Sequence, residues 1–185
     1  ADVDDASALF LACEKECPEC AQLLLAASAA ATTADADGFT PLSLPCFKGN
    51  VECGQLLLEA SAATDQASDD GATPLYIACQ NGHLECVRLL LEAGAAINKA
   101  KDDGFTPLHT ACYHGHSAVV LGWRRAGADA AARTSGGHTA LQLAKRKGHT
   151  ACERAFEAAA REAKRAEIEA KVERAVAERA AAERV

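Results

Sequence analysis

Short apolar runs alternate with polar turns along most of the chain, and residues 73 to 94 show the unit clearly. "LYIAC" is a compact apolar stretch, and "LECVRLLLEAG" places its apolar side chains on one face of a helical period. Gly82, between the two, permits the left-handed turn that ends a helix. Thr73 and Pro74 suit the N-cap and the first helical position. The pattern predicts two short helices joined by a tight turn.

The same unit recurs at a fixed spacing. "DGFTPL", "DGATPL" and "DGFTPL" place Gly38, Gly71 and Gly104 at successive separations of 33 residues. Weaker copies are "DDASAL", which keeps Leu9, and "GGHTAL" near the other end. A unit of this size cannot bury its apolar face alone, so neighbouring units must stack into one core. The sequence predicts five repeats, at residues 4–34, 35–67, 68–100, 101–133 and 134–160.

The repeated motifs resemble those of the ankyrin repeat family. They are the period of 33, "TPLH" at 106 to 109, "GH" at 82, 115 and 148, and "LLLEAGA" at 89 to 95. The resemblance extends over residues 1 to about 160. It implies an all-α solenoid of stacked helix-turn-helix units that binds proteins and performs no chemistry. It also implies contacts through the turn tips and the ends of the first helices, which line a concave face.

Residues 161–185 are predicted to extend the last helix. From Thr150 onward the chain is nearly all Ala, Glu, Arg and Lys, which are strong helix formers. Ile168, Val172 and Val176 are too few for a sustained coiled-coil seam, so a solvated helix is favoured over a coiled coil. We expect this extension to add little to the stability of the repeats.

Three departures from the repeat are expected to have structural effects. Pro45 lies inside the first helix of repeat two, where it removes a backbone donor and should distort the helix. Gly122 and Trp123 replace leucines in repeat four, so that a small residue beside a large ring keeps the core volume. Glu16 replaces the helix-ending glycine in repeat one.

The nine cysteines suggest a disulfide or zinc framework until they are placed in the repeat. Eight share two registers, which predicts buried, reduced thiols and an intracellular, cytoplasmic location. One alternative stays open, because "CEKECPEC" offers Cys13, Cys17 and Cys20 as a zinc or redox site, although zinc needs a fourth ligand. The registers are Cys13, Cys46, Cys79 and Cys112, and Cys20, Cys53, Cys86 and Cys152.

Four of the six histidines have structural explanations. His83, His116 and His149 each follow the glycine after a first helix. The family resemblance implies that His109, in "TPLH", ties the backbone to the Thr hydroxyl. No nucleophile, base and orienting group converge in any stretch, so we expect no catalytic residues, no metal and no cofactor.

Charge is distributed unevenly along the chain. The net charge is −7, but residues 1 to 98 carry three Lys and Arg against fifteen Asp and Glu, and residues 99 to 149 carry eight against three. The overall negative charge opposes nucleic-acid binding. No apolar run is long enough to span a bilayer, so we expect a soluble protein, and we expect it to be a monomer. The gradient is either ordinary solvated surface or a means of steering a polarised partner.

The predicted partner contact combines aromatic area with positive charge. In the family register, four of the eight aromatic residues fall on the variable surface, where they serve either binding or packing onto a neighbouring turn. The predicted contact centres on repeats four and five and suits a partner with an acidic segment and apolar anchors. The candidate residues are Phe105, Tyr113, His114, His138, Arg146, Lys147, Phe39 and Phe47.

Two alternatives to this site and function stay open. A rival surface is the acidic turn series, which would select a basic partner and comprises Asp37, Asp69, Asp70, Asp102 and Asp103. The chain could also be a regulatory or targeting segment of a larger multidomain protein such as an enzyme. If His114 and His138 titrate as exposed imidazoles, binding should strengthen as the pH falls through about 6.5.

Overall fold

The architecture is a stack of helix pairs. The computed structural model describes residues 3 to 123 and 126 to 182, and within those ranges the chain is helical, with no strand. In chain order the pairs are α1 Val3–Glu14 with α2 Pro18–Ala26, α3 Ser43–Lys48 with α4 Val51–Glu59, α5 Pro74–Asn81 with α6 Leu84–Glu92, α7 Pro107–His114 with α8 Ser117–Trp123, and α9 Ala140–Lys147 with α10 Thr150–Ala182.

Stacking of neighbouring pairs buries one continuous core. Each first helix contacts the next first helix, and each second helix contacts the next second helix. Leu42, Leu75 and Leu108 repeat at the same position of successive units and are buried. Trp123 occupies the position of Leu90 and is likewise buried, so the large ring fills a core site in repeat four. Because each pair is apolar on two sides, stability comes from the interfaces between pairs.

Local signals set where the first helices begin and end. Thr73 is the N-cap of α5, and its hydroxyl accepts a hydrogen bond from the Tyr76 N–H at 3.1 Å. Gly82 ends the same helix in the left-handed region, with φ of 78°. In repeat two, α3 begins at Ser43, later in the unit than Pro74, and its N-cap makes no side-chain hydrogen bond. The predicted distortion at Pro45 is therefore confirmed.

The helix-following histidines bind each unit to the one before it. The Nε2 atoms of His83, His116 and His149 lie 2.9, 2.9 and 3.0 Å from main-chain carbonyls of the preceding first helix. Those carbonyls belong to Phe47, Gln80 and Tyr113. Each imidazole N–H thus satisfies a carbonyl at a helix end that has no partner within its helix. The predicted structural role of these histidines is confirmed.

The cysteines mostly follow the prediction, with one correction. Seven are free and buried, and burial raises the pKa of the thiols, to about 11 for Cys86. Cys20 is exposed and is joined to Cys17 in a disulfide, so the prediction of a buried, reduced thiol is wrong at Cys20. Cys86 packs against the Pro45 carbonyl of the preceding unit, at 3.7 Å.

The C-terminal extension continues α10 without a break. Cys152 and Ala155 are buried against the stack, whereas every described side chain from Ala160 onward is exposed. Ile168 and Val172 are 61% and 56% exposed. Val176 lies outside the residues whose side chains are described. The extension therefore buries no described side chain in the repeats, which agrees with the small stabilising role we expect for it.

Replacing Ser61 with glycine is expected to raise the free energy of unfolding by about 1 kcal/mol. Ser61 has φ of 62° at the position that Gly94 occupies in the next unit, and an L-residue is disfavoured there. Urea denaturation would measure the gain. The matched control is Gly94→Ser, for which we expect a loss of similar size because Gly94 has φ of 84°. A destabilised Ser61→Gly variant would contradict the argument.

Candidate protein-binding face

Five of the predicted site residues lie together in one groove. The groove, of about 380 Å³, is formed by helices α7 and α9 and the turns that precede them. We call it the C-terminal groove. Its lining residues are Phe105, Tyr113, Thr134, Gly136, His138, Leu143, Arg146 and Lys147.

The aromatic and charged side chains of the C-terminal groove contact one another. The Lys147 ammonium lies 4.1 Å from the centre of the Tyr113 ring, which is a cation–π contact. Phe105 meets the same ring edge-on, with 6.2 Å between centroids. The Lys147 ammonium also lowers the pKa of the Tyr113 hydroxyl. The groove therefore presents an aromatic surface with a fixed positive charge beside it.

Arg146 and His138 form a second contact pair in the C-terminal groove. The Arg146 Nη1 lies 2.7 Å from His138 Nε2. A guanidinium can only donate, so Nε2 accepts and the ring proton sits on Nδ1. Protonation of Nε2 would break this hydrogen bond. The contact holds the arginine at the groove while its charge stays exposed.

His114 does not line the C-terminal groove. Its ring lies 5.2 Å from that of Tyr113 and stacks on His116 at 6.2 Å. Burial lowers its pKa, and the positive charges that His116, His149 and Lys147 can carry lower it further. The expectation that His114 titrates near 6.5 is therefore wrong. Its protonation requires a lower pH than that of an exposed imidazole.

Phe39 and Phe47 lie in a second groove, formed by residues of repeats one to three and by Lys101 at the start of repeat four. This groove also measures about 380 Å³. Sequence reasoning missed several of its members, including Phe10, Tyr76 and Lys101, because none of these three falls on the variable surface of the family register. We call it the N-terminal groove, and its lining residues are Phe10, Asp35, Phe39, Ser43, Leu44, Phe47, Asp70, Ala72, Tyr76, Ile77, Gln80 and Lys101.

The positively charged side chain of Lys101 lies in the N-terminal groove. Lys101 Nζ is 2.7 Å from Asp70 Oδ2 and 5.9 Å from the centre of the Tyr76 ring. Hydrogen bonds from Lys101 and Ser68 lower the pKa of Asp70. The carboxylate therefore stays ionised, and the groove is lined by two negative side chains, Asp35 and Asp70, against the one positive charge of Lys101. The two grooves thus differ in the sign of the net charge of their lining residues.

A comparison with family models identifies the fold. The family model described as ankyrin repeats (3 copies) matches residues 1–68 and again residues 60–122. The chain belongs to the ankyrin repeat family. Ankyrin repeats generally mediate protein–protein interaction and are typically non-catalytic. No curated protein matches the chain. Because α9 and α10 lie beyond the matches, the count of five ankyrin repeats stays a prediction.

The four aromatic residues of the ankyrin variable surface divide by position in the unit. Phe47 and Tyr113, near the ends of first helices, are 55% and 36% exposed. Phe39 and Phe105, in the turns, are partly buried and pack against the core. The aromatic residues at the two positions of the unit thus differ in exposure. Exposed rings are available to a partner, whereas packed rings support the turns.

The acidic turn series is tied together by main-chain hydrogen bonds. Asp69 N–H donates to the Asp37 carbonyl at 3.1 Å, and the next turn repeats the bond. The Asp103 carboxylate accepts the Phe105 N–H at 3.0 Å. Some of these ankyrin turn carboxylates therefore stabilise the turns themselves. Asp69 and Asp102 are exposed and keep the rival surface negative.

The arrangement of cysteines does not favour the zinc alternative. Cys13 is buried, whereas Cys17 and Cys20 are bonded to each other. Within the described residues, no three His, Cys, Asp or Glu side chains are grouped as metal ligands.

A search of the same residues finds no helix with the length and apolar character needed to cross a membrane.

Proposed function

We propose that this ankyrin stack binds a partner protein through the C-terminal groove, and that the partner offers an acidic segment with an apolar anchor. One observation carries the proposal: the Tyr113 ring is exposed and has the Lys147 ammonium against it. Aromatic and cationic side chains dominate interface energetics when they lie at one spot. The contact needs no reorganisation of either side chain to present both features.

The sign of the charge supports an acidic partner. Lys145, Arg146 and Lys147 form the last turn of α9, and the stretch from 99 to 149 is positive, with eight Lys and Arg against three Asp and Glu. Such a patch speeds encounter with a negative segment and repels a positive one. The N-terminal groove, with its net negative lining, is the rival site and would prefer a basic partner.

Replacing Tyr113 with alanine is expected to weaken binding by at least about fivefold, because truncating an interface anchor costs about 1 kcal/mol or more. Peptides selected on the intact chain from a random displayed library would serve as probes. We expect them to be rich in Asp, Glu and apolar residues. Fluorescence anisotropy would give the dissociation constants. Arg146→Ala should mainly slow association and reduce its dependence on salt.

Two control variants separate the C-terminal groove from its rivals. Phe47→Ala removes an exposed ring from the N-terminal groove and should leave binding unchanged. Asp69→Ala combined with Asp70→Ala removes charge from the acidic turns. Loss of binding in this double variant, with Tyr113→Ala unaffected, would move the site to the turns and reject the proposal.

A further inference from the structure

Cys17 and Cys20 differ from the other cysteines in their surroundings. Cys20 is exposed and Cys17 is half-buried, whereas the seven free cysteines are buried. Burial raises the pKa of those thiols, to about 12 for Cys13 and about 11 for Cys86. The thiolate is the reactive form of cysteine, so these buried thiols are unreactive near neutral pH. Accessible sulfur chemistry is therefore concentrated in one pair.

The pair lies in the first turn of a helix. Cys17 is the N-cap of α2, Pro18 begins the helix, and the Cα atoms of the two cysteines are 5.3 Å apart, within the range for a disulfide. The sulfurs are bonded in the structure. The Cys20 N–H also lies 3.4 Å from Cys17 Sγ, which is the N-cap hydrogen bond that a reduced Cys17 would accept. Both redox states therefore fit the same helical turn.

Cys17 takes a position in the repeat that carries a structural histidine in later units. Its position in the unit is that of His83 and His116, whose rings bond to a carbonyl of the preceding first helix. Cys17 Sγ instead lies 3.4 Å from the N–H of Cys20, in its own helical turn. Cys20 has the position of Cys53, which is buried where repeat one covers it. Both sulfurs thus occupy positions that stacking normally covers.

We propose that Cys17 and Cys20 form a reversible dithiol–disulfide site that reacts with low-molecular-weight disulfides while the other seven thiols do not. The Cys20 thiolate attacks one sulfur of the small disulfide, forming a mixed disulfide and releasing one thiol. The Cys17 thiolate then attacks the Cys20 sulfur, closing the internal bond and releasing the second thiol. Two electrons pass from the pair to the small disulfide, and an excess of small thiol reverses both steps.

The order in which the two sulfurs react follows from their exposure. Cys20 is the more exposed sulfur, so an incoming disulfide reaches it first. Cys17 is half-buried, so an incoming disulfide reaches its sulfur less readily. Cys17 is therefore the resolving residue. It attacks after the mixed disulfide has placed a leaving group on its neighbour.

The test equilibrates the full chain in mixtures of reduced and oxidised glutathione and then alkylates the remaining thiols. Peptide mapping by mass spectrometry should show two thiols disappearing together, with Cys17 linked to Cys20. The seven others should react with the alkylating reagent only after denaturation. A pair that stays reduced, or that stays oxidised, in every mixture would overturn the proposal. So would mixed disulfides spread over the buried cysteines.

Two variants test the roles of Cys20 as the attacking residue and Cys17 as the resolving residue. Cys17→Ser should accumulate a stable adduct of one glutathione on Cys20, since no resolving thiol remains. Cys13→Ala is the matched control, since Cys13 is the third cysteine of the same segment. This substitution should leave the loss of the two other thiols in the glutathione mixtures unchanged. Loss of the Cys17–Cys20 link in Cys13→Ala would show that the site is not this pair.

Discussion

Replacing His109 with alanine is expected to lower the free energy of unfolding by about 3 kcal/mol. The ring is fully buried, and its Nδ1 lies 3.2 Å from the Thr106 N–H and 2.7 Å from the Thr106 hydroxyl. Since Nδ1 accepts the backbone N–H, Nε2 carries the proton and donates to the Ala132 and His138 carbonyls, both at 3.1 Å. Alanine would leave these groups without a partner and open a cavity.

A glutamine variant separates the hydrogen bond that His109 accepts at Nδ1 from those that it donates from Nε2. In repeat five, Gln142 stands where repeat four has His109, and its side-chain oxygen accepts the Thr139 N–H at 2.9 Å. His109→Gln should therefore keep the capping box of α7 but lose the donor to the Ala132 and His138 carbonyls. We expect it to cost about half as much as alanine. Urea denaturation of the three proteins would measure both differences, and equal losses for alanine and glutamine would contradict the division.

The same comparison predicts a dependence on pH. Burial lowers the pKa of His109 below its usual value, and hydrogen bonds to the two carbonyls only partly offset this. The unfolded chain therefore binds a proton more readily than the folded one as the pH falls below about 6.5. The stabilising contribution of a neutral His109 is complete above that pH and declines below it. The advantage of the native protein over His109→Gln should shrink in acid.

Much of the fold could be predicted because each unit repeats its local signals. Thr73, Pro74 and Gly82 act through the backbone of their own helix, so their effect does not depend on distant residues. The register also predicted that Cys46 and Cys79 are buried. The register failed at Cys20, because it assumes that equal positions in the repeat are equally buried in every unit. Cys53, one unit later, is buried, whereas Cys20 is exposed.

The candidate site was predictable only in part. The register placed Phe105, Tyr113 and His138 on one face, and they do share a groove. It could not show that Phe39 packs against the core while Phe47 is exposed, because that depends on the gap between successive turns. It also gave no weight to Lys101. That side chain comes from a turn one unit beyond Tyr76 and Asp70, so the contact exists only after stacking.

The second large effect is expected at Gly115, where alanine should lower the free energy of unfolding by about 2.5 kcal/mol. Gly115 has φ of 84°, which alone disfavours an L-residue by about 1 kcal/mol. An added Cβ would also lie 2.8 Å from His149 Nδ1. The His149 ring cannot move freely, because its Nε2 is bonded to the Tyr113 carbonyl at 3.0 Å. Backbone strain and a steric clash therefore add.

Gly94 provides a matched control for the backbone part of this cost. It has the same φ of 84°, but an added Cβ would meet nothing within 4 Å, so Gly94→Ala should cost only about 1 kcal/mol. In a His149→Ala background the clash is removed, and Gly115→Ala should fall to the cost seen at Gly94. Urea denaturation of the four proteins in this double-mutant cycle gives the coupling. An unchanged cost in the His149→Ala background would show that the histidine ring does not select glycine at the end of α7.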